Sequence, residues 1–77
     1  MIDPGFNYRH LYYFWVVAQA GGVGRGAARL GVAPQTVSVQ LQALERAIGV
    51  ALLKPAGRAL ALTEAGEAVR RQADQIF

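Results

Sequence analysis

A mainly α-helical fold, with three helices, a two-stranded hairpin and one further helix, is predicted by three features of this sequence. Apolar residues recur at helical spacing in four segments, glycines at Gly21-Gly22, Gly31 and Gly49 punctuate them, and Pro55-Ala56-Gly57-Arg58 separates two short apolar runs.

The 77 residues hold one small domain, and 53% of them are apolar, enough to expect a packed core rather than a disordered tail. There is no cysteine and a single histidine, His10, so disulfides and a zinc site are not expected, and no metal or cofactor is called for. The longest strongly apolar run, Leu11 to Ala20, is interrupted by Gln19 and falls short of the roughly 20 residues that span a bilayer. Nor does the start have the pattern of a signal peptide, so a cytoplasmic protein is expected.

The elements follow in order. Asn7 can cap a first helix in which Leu11, Phe14, Trp15 and Ala18 share a face, and Gly21-Gly22 ends it. A short second helix, Val23 to Leu30, turns Val23, Ala27 and Leu30 to one side; Gly24 and Gly26 each weaken it by about 1 kcal/mol, so it must lean on tertiary contacts. Pro34 opens a third helix, Pro34 to Ile48, with Val37, Leu41, Leu44 and Ile48 as its apolar stripe. Gln35, Thr36, Ser38, Val39, Gln42 and Arg46 lie on the other face, most of them uncharged hydrogen-bonding groups. Ala51 to Lys54 and Ala59 to Leu62 read as two strands of a wing. Thr63 caps a last helix with Glu64 and Glu67 in its first turn and Ala65, Val69, Ala73 and Ile76 along one face. No helix stop follows Phe77, so the chain is expected to be part of something longer. Residues 1–62 then form the domain proper, and 63–77 start a linker helix.

Two helices joined through Gly31-Val32-Ala33 have the spacing of a helix-turn-helix, whose second helix enters the major groove, here with a wing attached. Eight Lys and Arg against five Asp and Glu give a formal charge of +3, which favours a polyanionic partner. On this reading Pro34, Gln35, Thr36, Ser38, Val39 and Gln42 face base edges, with Gln35 suited to adenine and the Thr36 methyl to thymine. Arg25, Lys54 and Arg58 would contact phosphates.

Leu11 with Phe14, Gly26-Ala27, Leu30, Pro34-Gln35-Thr36-Val37-Ser38, Leu41, Leu44-Glu45, Gly49, Leu52-Leu53, Arg58 and Leu62-Thr63-Glu64-Ala65-Gly66 resemble, in order and spacing, the amino-terminal domain of LysR-type transcription regulators. Within that family, Asn7 to Trp15 and Pro34-Gln35-Thr36 look like the subgroup typified by the activator of a sodium/proton antiporter gene. The resemblance implies a winged helix-turn-helix that binds double-stranded DNA at a two-fold related promoter site. It also implies a homodimer formed through the last helix and a small-molecule inducer bound by an effector domain outside this chain; the Ala65, Val69, Ala73 and Ile76 stripe is expected to meet the partner helix, with packing on its own domain core as the alternative. The sequence departs from the family at helix two, where members usually carry Ser at Gly22, Ser or Thr at Gly24 and Ala at Gly26, so a side-chain cap and a phosphate-contacting hydroxyl are missing.

Other readings of the same residues are weaker. Tyr12-Tyr13-Phe14-Trp15 point in different directions on a helix, which favours packing over base stacking. Gly21 to Gly26 follows no strand and precedes no Lys-Ser or Lys-Thr pair, as a phosphate loop would require. His10 has no nucleophile or orienting acid at a recognisable spacing, so no enzyme is expected. The alternative outside DNA binding is a winged helix that has become a protein-interaction module.

Overall fold

The computed structural model describes residues 8–57 and 59–77. Helix α1 spans Tyr8–Ala20, and the cap expected at Asn7 lies outside the described residues. Its last turn closes when the Gly21 N–H donates to the Val17 carbonyl at 2.9 Å. Helix α2, Val23–Leu30, starts at Gly22 without any side-chain cap, as its sequence requires. It stops at Gly31 in the left-handed conformation (φ 71°), which glycine adopts without a Cβ penalty. Ala33 is extended, as a residue before proline prefers, and Pro34 then begins α3, Pro34–Ile48.

The wing is an antiparallel hairpin of β1, Leu53–Ala56, and β2, Ala59–Leu62, in the register Leu53 with Leu62 and Ala56 with Ala59. This corrects the first predicted strand, which was placed at Ala51 to Lys54. The ladder begins two residues later, and Pro55 and Ala56 belong to β1 rather than to the turn. Pro55 is tolerated because each strand of a two-stranded sheet is an edge, where a missing N–H can face away from the partner. Ala51 and Leu52 are instead held by side chains of neighbouring helices.

Helix α4, Glu64–Ile76, is capped by Thr63, whose hydroxyl accepts the Gly66 N–H at 2.9 Å. The same hydroxyl donates to the Ala51 carbonyl at 2.7 Å, and the Thr63 N–H donates to the Leu52 carbonyl at 3.0 Å. Gly66 is buried against this junction: a Cβ there would overlap the Leu52 carbonyl oxygen, so only glycine lets α4 start so close to the wing.

Helix α1 packs against α2, α3 and α4 and is the centre of the domain. Phe14, Val17, Val37, Leu44 and Leu52 are sealed from solvent, each contributing about 1.5 to 3 kcal/mol by burial. The buried face of α1 is broader than predicted, because Val16, Val17 and Ala20 join Leu11 and Phe14. It must serve neighbours on more than one side. Gly26 makes the α1–α2 approach close: a Cβ there would meet Val17 Cγ2 at 2.7 Å.

Two expected faces are corrected. Ile48 continues the α3 stripe in sequence, yet it is 38% exposed because the helix runs past the edge of the core. Of the α4 stripe assigned to a partner helix, Ala73 is fully buried in this domain's core, while Ala65 and Val69 are half-buried against it. Ile76 is 52% exposed, whereas Ala73 is sealed off. The cause is the proximity of α1, whose Leu11 and Phe14 belong to the same core cluster as Ala73.

Candidate nucleic-acid interface

Helix α3 separates its residues cleanly. Val37, Leu41 and Leu44 are buried, and Gln35, Val39, Gln42 and Arg46, on the opposite side at about 100° per residue, are all exposed. Pro34 and Thr36 are exposed in the first turn. Val39, at 59% exposure, is the most open of the large apolar side chains among the described residues.

Ser38 sits differently. It is half-buried at the flank of α3, lining a cleft of about 170 Å³ with Val23 of α2, Leu41 and Gln42 of α3, and Leu53 and Leu60 of the wing. The cleft brings the start of α2, the middle of α3 and the wing together on one side of the domain. Arg25 on α2 and Lys54 on β1 are both exposed, while Arg58 lies outside the described residues. The α2 N-terminus has bare backbone N–H groups and no hydroxyl, as the glycines at 22 and 24 dictate.

Two features escaped the sequence reading. Glu45, half-buried in the last turns of α3, accepts the Leu52 N–H at 2.8 Å and the Leu53 N–H at 3.3 Å through one carboxylate oxygen. An acid next to Leu44 reads as ordinary solvating charge until the loop after the helix is seen to fold back on it. Trp15 donates its indole N–H to Asp74 at 2.8 Å, tying α1 to α4. Its ring lies 6.1 Å from Tyr12 and 5.5 Å from Phe77, so these aromatics form an outer seam rather than a base-stacking platform.

Among the described residues no group of three or more His, Cys, Asp or Glu is placed to hold a metal ion, and no helix is long and apolar enough to cross a membrane.

Comparison with known proteins places this geometry. Residues 8–67 match the pattern of the bacterial regulatory helix-turn-helix proteins of the lysR family. Over 71 residues the chain is 46% identical to the transcriptional activator protein NhaR of Escherichia coli strain K12, covering 92% of this chain and 24% of that protein. It is 42% identical over 71 residues to the HTH-type transcriptional regulator TcbR of Pseudomonas sp. strain P51, with the same coverage of 92% and 24%. The chain thus spans about a quarter of the length of the curated relatives it matches. Among solved structures it superposes on the DNA-binding domain of CbnR in complex with DNA with a TM-score of 0.86 at 41% identity, over 92% of this chain and 82% of that one. A complex of the BenM DNA-binding domain with benA site 1 DNA gives 0.86 at 30% identity, over 92% and 83%. With its four helices, its hairpin wing and its outward-facing third helix, the chain belongs to the LysR family of bacterial regulatory helix-turn-helix proteins and is the DNA-binding domain of such a regulator.

Proposed function

We propose that this domain recognises a specific duplex sequence as one half of a homodimer, with α3 in the major groove and the wing along the phosphate backbone. One observation carries the reading: Gln35, Val39, Gln42 and Arg46 project from α3 directly opposite the buried Val37, Leu41 and Leu44. The major groove, about 12 Å wide, admits one helix, and this helix offers it an uncovered polar row on a rigid support. Gln35 pairs with adenine through its amide, the methyls of Thr36 and Val39 meet thymine methyls, and Gln42 and Pro34 border the same bases. Ser38, at the flank, reaches a phosphate or a base at the edge of the site. Arg25 and Lys54 bind phosphates and supply the salt-dependent, sequence-independent part of affinity. The DNA complexes of the structural neighbours support this placement.

The dimer uses the outer side of α4, where Ile76 and Phe77 are exposed beside Tyr12, and not Ala73, which lies in the core. In the longer regulator, acting in the cytoplasm, an effector domain carries the inducer, and the domain described here does no chemistry of its own.

Selection of bound sites from a random duplex library tests the proposal. The expected result is a two-fold related motif whose half-site changes at one base pair when Gln35 is replaced by Ala, at a cost of about 1 to 3 kcal/mol. Equal loss on all duplexes would remove Gln35 from readout. A chain with no retention on heparin or random duplex at low salt would point instead to a protein-interaction module.

A further inference from the structure

We propose that Glu45 is a positioning residue for DNA binding: from the recognition helix it fixes where the wing stands, so that Lys54 meets the backbone while α3 reads the bases. The proposal rests on the reading of α3 and the wing given above. The carboxylate bridges two consecutive backbone N–H groups, those of Leu52 and Leu53, at 2.8 and 3.3 Å, and Leu53 is the first residue of β1. Lys54 follows directly. Glu45 itself lies between the exposed Gln42 and Arg46, so a single turn of helix carries both the groove-facing side chains and the anchor of the wing.

A two-stranded hairpin of four-residue strands is marginal in isolation and takes its position from whatever holds its ends. The end of the second strand is tied by Thr63, through its N–H to Leu52 and its hydroxyl to Ala51. The start of the first is tied to α3 by Glu45. Hydrogen bonds to an ionised carboxylate are roughly twice as strong as neutral ones, which suits an anchor at a half-buried site. Glu45 touches no base or phosphate on this account; it acts through the wing.

The test uses the whole chain and a random-sequence duplex, measuring affinity across a range of KCl for Glu45→Met, Glu45→Gln, Lys54→Ala and the double variant Glu45→Met/Lys54→Ala. Methionine keeps chain length and helix propensity but offers no oxygen. The slope of log K against log salt is expected to fall by about one unit in Glu45→Met, as in Lys54→Ala, and no further in the double variant. Glu45→Gln, whose amide oxygen still accepts, keeps a slope near that of the unmodified chain. Amide exchange at Leu52 and Leu53 speeds up in Glu45→Met while Val37 and Leu44 stay protected, which separates a displaced wing from a loosened domain. An unchanged slope in Glu45→Met, or additive losses in the double variant, overturns the proposal. Unmodified chain without salt-dependent duplex affinity overturns the DNA reading itself, a result distinct from either.

Discussion

Replacing Gly66 by Ala should destabilise the domain although alanine is the better helix former. In an open helix the change would stabilise by about 1 kcal/mol. Here the new methyl would occupy the space of the Leu52 carbonyl oxygen and press on Leu62 Cβ at 3.3 Å. That carbonyl is also the acceptor of the Thr63 N–H at 3.0 Å, and the residue that bears it is 1% exposed in the core. To make room, α4 must back away from the wing, which loosens the Thr63 cap bond, worth about 1 kcal/mol, and the Thr63–Leu52 bond, worth about another. Overpacking of this kind adds about 1 to 3 kcal/mol. With the gain in helix propensity subtracted, the net loss is about 2 to 4 kcal/mol. For a domain of this size each kcal/mol moves the melting temperature by about 4 to 8 °C, so Tm should fall by at least about 8 °C. Thermal unfolding followed by circular dichroism at 222 nm measures it. A melting temperature equal to or above that of the unmodified chain would refute the close approach of α4 to the Leu52 carbonyl.

Gly24→Ala tests the same reasoning with the opposite sign: beyond its own stretch of helix nothing lies within 4 Å of a Cβ built there, so α2 should gain about 1 kcal/mol in urea unfolding. Thr63→Ala removes the α4 cap and the bond to Ala51 and should cost about 1 to 2 kcal/mol, most of it restored by Thr63→Ser, which keeps the hydroxyl. Leu44→Ala, at a fully buried position of α3, should cost about 2 to 5 kcal/mol by leaving a cavity, visible as a lower urea midpoint with little change in slope. Lys54→Ala should leave the ranking of duplex sequences intact and lower the salt slope by about one unit; a loss confined to one base pair would contradict a phosphate contact.

Much of this protein could be read from residue order alone. The three glycine stops and Pro34 marked the ends of α1, α2 and α3, because tolerance of left-handed backbone and a missing N–H are properties of single residues that show in the sequence itself. The exposed row on α3 was legible for a related reason: with Val37, Leu41 and Leu44 committed to the core, the period of the helix leaves Gln35, Val39 and Gln42 outside. Thr63 announced its cap by residue type and position.

What tertiary structure decided concerns partners distant in sequence. The apolar stripe of α4 looked the same whether it met a second chain or its own domain, and only the packing of α1 showed that Ala73 is taken by the core while Ile76 remains open. The start of β1 moved because Glu45 of α3 and Thr63 at the start of α4 take up backbone groups of Ala51 and Leu52, which local β-propensity does not register. Glu45 stood out in the sequence only as part of the family resemblance, and its role as an acceptor appeared when the chain beyond Gly49 returned to it. Periodicity tells which side of a helix is apolar, but it carries no information about what covers that side or which backbone N–H reaches a given carboxylate, since both depend on where separate elements come to rest.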